Sequence, residues 1–152
     1  MIGTLTSTSR LHPGRFLLVG LLWFCGPPMP GAAPSKPDFV RAAGCIEGMR
    51  ADLLFEGAAA RVEMVMGERR TLLVSRAAHA VLRNFFDKHR IRSFRLMHTG
   101  TDHGGQTAYL LGMYEDLQGK RYRVRLLWEN QEGAWRIHKV HFLPLQPDKA
   151  IP

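Results

Sequence analysis

Cysteine is scarce in this sequence. Its 152 residues hold two, Cys25 and Cys45, and a scaffold stapled by disulfides needs several. Stability has to come from a packed core instead. Acidic side chains are in deficit too, 13 against 21 Lys and Arg, for a formal charge of +8. That balance suits an anionic partner, but the dense Lys/Arg clusters of nucleic-acid-binding tails are missing. The apolar stretch FLLVGLLWFC at 16–25 is too short to cross a bilayer, which takes about 20 residues. G-x-G-x-x-G, the Walker loop and the G-x-S-x-G elbow are absent, so nothing marks a nucleotide-binding or hydrolase site. There is no internal repeat.

What is present reads as one globular domain behind a targeting segment. With 45% hydrophobic and 22% charged residues, most of the chain has the composition of a folded protein. Residues 1–15 carry Arg10, His12 and Arg15 but no acid. The apolar run follows, then GPPMPGAAPSKP, rich in Pro and small residues. That is the order of a secretory signal peptide, and Gly31-Ala32-Ala33 predicts cleavage after Ala33. The expected organisation is a signal peptide over 1–33, a short leader over 34–37, a domain over 38–143 and a flexible tail over 144–152. The expected location is periplasmic or secreted. Two alternatives keep the chain at a membrane: an uncleaved apolar anchor, or lipidation at Cys25, which the bulky Trp23 and Phe24 before it disfavour. Cleavage removes Arg10 and Arg15 and no acid, so the mature chain stays basic, with Cys45 its one cysteine.

Hydrophobic periodicity lays out the domain. Asp38 is placed to cap a helix whose apolar stripe runs through Phe39, Ala43, Ile46 and Leu53. Gly44 and Gly48 weaken that helix by about 1 kcal/mol each, and would suit a close approach by another element. Val62, Met64 and Met66 predict a strand, and 71–74 a short extended link. Ser75 is expected to cap a second helix through Lys88, striped by Ala78, Val81, Leu82, Phe85 and Phe86. From Ser93 the period falls to two and four strands follow in a meander. Tyr122, Val124, Leu126 and Trp128 should share an inner face with Phe94, Leu96 and His98, opposite Arg121, Arg123 and Arg125. Trp135 and Ile137 fall on one parity, Val140 and Phe142 on the other. A β-bulge at His138 or Lys139 reconciles them. Helices then strands make an α+β pattern, an antiparallel sheet of four to five strands packed by two or so N-terminal helices.

The segment from Val62 to Phe142 resembles a bacterial family known as domain of unknown function 4783. The resemblance lies in NFFDKH at 84–89, SFRLMHTG at 93–100, GGQTAYLLG at 104–112, GKRYRVRLLWE at 119–129 and GAWRIHKVHF at 133–142. It implies the nuclear transport factor 2-like cone, a curved sheet wrapped around helices to enclose a cavity. It implies no activity, because the wider superfamily holds isomerases, dehydratases and modules without catalysis. Its sheets often pair face to face, so a homodimer is one expected assembly.

Several constellations could carry chemistry. His98 and His103 flank Asp102 and the glycines of LMHTGTDHGGQTAYL, but the loop lacks the third and fourth ligands of a zinc site. It reads as a hairpin, with His103 in the turn and His98 at the cone mouth. No metal and no cofactor is expected. An isomerase-like site needs a carboxylate base beside an oxyanion-binding Tyr. Glu47, Asp52 and Glu115 are the candidate bases, with Tyr109, Tyr114 and Tyr122. Cys45 reads as a buried structural residue. The expected role is an exported, non-enzymatic binding or accessory module with two candidate surfaces. One is the cone mouth, lined by His98, Tyr114, Tyr122 and Trp128, for an apolar small molecule. The other is a basic face of Arg95, Arg121, Arg123, Arg125 and Arg136, for an anionic surface or partner. Nucleic acid is not expected outside the cytoplasm. A small cavity-based enzyme is the alternative.

Overall fold

The computed structural model describes residues 35–146. The expected signal peptide and the end of the expected tail lie outside them. Asp38 caps the first helix, α1 (Phe39–Glu47), its Oδ1 accepting from Arg41 N at 2.8 Å. The helix does not run on unbroken through Leu53, as its apolar stripe predicts. It stops at Gly48, Met49 turns left-handed at φ 52°, and a single turn, α2 (Ala51–Leu54), follows. Gly48 gives the stop a physical reason in its low helix propensity; its own φ is an ordinary −80°. Gly44 is not a close-approach site, because a Cβ there would meet nothing within 4 Å.

β1 (Arg61–Met66) is where alternation placed it. The expected link is a strand, β2 (Arg69–Val74), pairing antiparallel with β1. It is nearly all exposed, so burial left no alternation to read. α3 (Ser75–Lys88) begins at Ser75, but the capping position falls on Val74 and no side chain caps it. Ala78, Leu82 and Phe86 are its buried residues. The meander is β3 (Ile91–Thr101), β4 (Thr107–Asp116), β5 (Arg121–Gln131) and β6 (Ala134–Pro144).

The six strands form one curved, unclosed sheet in the order β2-β1-β6-β5-β4-β3. Every pairing is antiparallel except β1 with β6, which is parallel. The expected bulge is at His138: Leu127 pairs with Lys139 and Trp128 with Ile137, which leaves His138 over. Ile137, Val140 and Phe142 thereby all reach the inner face, where they are buried. The helices pack on that face, and Ile46, Leu82, Phe86, Leu110, Tyr114, Leu126 and Phe142 fill the space between, each at most 2% exposed.

Candidate functional site

The four residues expected at the cone mouth lie in three different places. β3 carries a bulge of its own, with Leu96 opposite Gly112 and His98 opposite Leu111, so Met97 is extra. The bulge reverses parity. Phe94 stays inside, but His98 turns to the face away from the helices, exposed, stacked on Tyr109 and 3.0 Å from its hydroxyl. Leu96 keeps inner parity but is half-exposed on the edge strand. His103 is exposed in the β3–β4 turn, which Asp102 closes by accepting from Gln106 N and Thr107 N.

Tyr114 and Tyr122 sit at one end of the inner face and bring together a cluster that sequence reasoning missed. Asp116 is fully buried. Its Oδ1 accepts from Gln118 N and Lys120 N, and its Oδ2 lies 3.1 Å from His89 Nδ1. The Tyr122 hydroxyl is 3.0 Å from the same nitrogen, and the Tyr114 hydroxyl donates to the His89 carbonyl. Burial raises the Asp116 pKa, but the Lys120 N–H, His89 and the Gln118 N–H outweigh it and hold the carboxyl below its usual range. Burial and the Asp116 charge push the Tyr122 hydroxyl up to about 12 and Tyr114 higher still. Facing an ionised carboxylate, Nδ1 of a neutral His89 carries the proton and Nε2 is left as an acceptor. The arrangement can orient a histidine and pin the end of α3 to the β4–β5 turn. The signal was legible: Ala108, Leu110, Gly112, Tyr114 and Asp116 share one parity.

The proposed bases lie elsewhere. Glu47 and Asp52 are exposed, and Asp52 pairs with Arg50 at 3.0 Å. Glu115 faces away from the helices and pairs with Arg92 at 3.4 Å. Inner-face carboxylate chemistry therefore falls to Asp116, whose oxygens are already engaged.

Trp128 is at the other end of β5, six residues and about 20 Å from Tyr122. It lines an open cleft of about 150 Å³ between α1 and the β5–β6 hairpin, with Ala42, Cys45, Leu53, Trp135 and Ile137. Arg41 and Glu56 form an ion pair at the rim. Trp135 Nε1 donates to the Ser35 carbonyl, Pro37 is buried, and Phe39 meets Trp128 edge-on. The leader's last residues are thus tied down over the cleft. Cys45 is buried, and burial raises its thiol pKa. A broader, charged cleft of about 580 Å³ lies between the α1–α2 turn and α3, walled by Asp52, His79, Arg83, Asp87 and Arg90. Among the described residues, no group of three or more His, Cys, Asp or Glu gathers in metal-holding geometry.

The basic face is partly assembled. Arg121, Arg123 and Arg125 alternate with the buried residues of β5, and Arg95 stands opposite Met113, which stands opposite Arg123. Arg136 shares their parity but lies at the far end of β6, its guanidinium 3.5 Å from the Gly57 carbonyl. On the same face Glu63 lies 3.2 Å from Arg70, 3.5 Å from Lys139 and 3.6 Å from His141. Burial raises the Glu63 pKa, but Lys139 and Arg70 more than offset it and the carboxyl titrates low. Burial lowers both His138 and His141.

Solved structures share this fold. A domain of unknown function 4783 protein from Bacteroides uniformis is 16% identical, with a TM-score of 0.67 over 72% of this chain and 99% of its own. A family member from Bacteroides ovatus is also 16% identical, with a TM-score of 0.66 over 76% and 100%. A putative dehydratase of the nuclear transport factor 2-like family, from Streptomyces avermitilis, is 13% identical, with a TM-score of 0.54 over 71% and 91%. No curated protein matches the chain in sequence. The model of the domain of unknown function called DUF4783 matches residues 41–142, from α1 to the end of the core in β6, and the chain belongs to that family.

Proposed function

We propose that this chain is an exported, non-enzymatic module that binds a small planar molecule in the cleft between α1 and the β5–β6 hairpin. The observation that carries the reading is the cleft itself. Trp135 is half-buried at its wall beside the buried Trp128 and Ile137, whereas Tyr114 and Tyr122 line neither cleft. A volume of about 150 Å³ takes a molecule the size of benzene, and the walls add the charged Asp38, Arg41 and Glu56 to the two tryptophans. Arg41 and Glu56 at the rim are each 57% exposed, so their ion pair contributes little. Arg41 is free to turn to a ligand carboxylate, which it matches bidentately. The ligand class is a small aromatic carboxylate. Export rests on the order of residues 1–33 described above.

The test is thermal shift and tryptophan fluorescence against benzoate, indole-3-acetate and their neutral amides. The acids are expected to raise the midpoint, as any ligand of the native state does. Arg41→Gln should remove the preference for the acid, and Trp135→Leu should weaken both. A panel with no midpoint change and no fluorescence change would sink the reading. For export, mass spectrometry of the protein recovered outside the cytoplasm should find Pro34 at the N-terminus; an intact residue 1–33 segment on cytoplasmic protein would refute it.

The enzymatic alternative has one observation in its favour, the Asp116–His89 pair with Nε2 unengaged by any described hydrogen-bond partner. The pair lies about 20 Å from the cleft, and neither cleft described above includes His89 in its walls. Any turnover that His89→Gln abolishes while ligand binding survives would favour it.

A further inference from the structure

The sheet face turned away from the helices has no covering element among the described residues, and we propose that it docks the acidic surface of a partner protein. This goes beyond the ligand cleft and does not depend on it. Arg95, Arg121, Arg123 and Arg125 are exposed there, and none pairs with a described carboxylate. Along β5 they repeat every second residue, about 7 Å, and Arg95 reaches Arg123 across two strand spacings, about 10 Å. The acids of the face do not balance them. Glu63 is held between Arg70 and Lys139, Glu115 is taken by Arg92, and Glu129 stands at the far end of β5, four residues beyond Arg125.

Composition narrows the partner to protein. The arginines alternate with half-buried Tyr109, Leu111, Met113 and Leu127 on the same face. Arginine with tyrosine and methionine is the make-up of a protein interface, whereas lysine is depleted there. The guanidinium fork also fits a carboxylate in a way that an ammonium does not. A second copy of this chain is disfavoured. Face-to-face pairing would set the arginines of one central strand against those of another, and like charges in apposition cost binding energy. A membrane is disfavoured because the face has no amphipathic helix to lie in the headgroup layer.

The test titrates the full-length chain with a labelled ten-residue glutamate peptide, with heparin, and with phosphatidylglycerol vesicles, at rising salt. The proposal expects peptide binding that weakens with salt and becomes about tenfold weaker in Arg123→Gln/Arg125→Gln. Arg76→Gln/Lys88→Gln on the exposed side of α3 should leave it unchanged. Circular dichroism of each variant checks that the fold persists. Absence of peptide binding overturns the proposal, as does equal loss in both double variants. Tighter binding to heparin or vesicles than to peptide also overturns it, in favour of a glycan or a membrane. Sedimentation of the wild type as a dimer that Arg123→Gln/Arg125→Gln converts to monomer overturns it in favour of self-pairing.

Discussion

Asp116 and Glu115 are neighbours with opposite fates. Strand parity sends Glu115 out to Arg92 and Asp116 into the core, where it accepts two backbone N–H groups and His89. Asp116→Ala would leave those donors buried and unpartnered, and is expected to cost about 3 kcal/mol in urea titration. Asp116→Asn keeps the Oδ1 acceptor and should cost distinctly less; equal losses would show that the turn N–H groups do not depend on it. Gly112 is a second residue whose identity is forced. A Cβ there would lie 2.3 Å from the Phe94 ring and 3.1 Å from the Arg95 carbonyl. Gly112→Ala is expected to destabilise by about 2 kcal/mol, and Phe94→Leu should recover part of that in a double-mutant cycle. Strict additivity would mean that the ring is not the obstacle. Alternation made the inner parity of β4 readable as far as Asp116, but parity alone does not say what an inward acid does. Its role comes from the hydrogen bonds that meet it, and those arise only when α3 and the β4–β5 turn are brought together.

Two of the sheet's three register shifts, at His138 and Met97, were not equally legible. His138 was visible because apolar residues change parity across it. Met97 was hidden because Leu96, Met97 and Leu110–Leu111 supply apolar side chains on both parities, so no pattern breaks. Deleting His138 would send either Trp135 and Ile137 or Val140 and Phe142 to the solvent face. The deletion is expected to abolish the cooperative urea transition and near-ultraviolet dichroism, and retention of both would show that the bulge is dispensable. The β5–β6 turn permits a change in the other direction. Glu132 and Gly133 both have positive φ, 54° and 86°, the two-residue geometry that favours Asn-Gly. Glu132→Asn is expected to stabilise by about 0.5–1 kcal/mol, measured by the urea midpoint. β2 escaped sequence reading for a plainer reason: an edge strand with little burial has no hydrophobic period to display.

At the scale of the whole molecule, acid is the expected weakness. His138 and His141 are held below their usual 6.5 by burial, so the unfolded chain takes up their protons first. Their contribution is complete above pH 6.5 and declines as pH falls below it. Glu63 and Asp116, held below 4.5 and 3.8, add a second loss as pH falls further through their lowered values. Thermal midpoints should therefore drop in two stages. His138→Gln/His141→Gln should flatten the first stage, and an unchanged profile would refute the assignment. Fold class was legible here because period and order are properties of the chain, while the cleft beside α1 was only half legible. Trp128 declared itself by parity, but Arg41 and Glu56 meet at the rim only through the break that sets α2 apart from α1.

The position of β6 bears on how the protein is made. The last strand in sequence is central in space, bonded to β5 on one side and to β1 on the other. A nascent chain that stops short of Ala134 holds a β1–β2 hairpin and a three-stranded meander with nothing to join them. The sheet can be assembled only once β6 has been made, through pairings between distant parts of the chain, which form slowly. Until then the sheet stays incomplete, which would suit the export proposed for this chain.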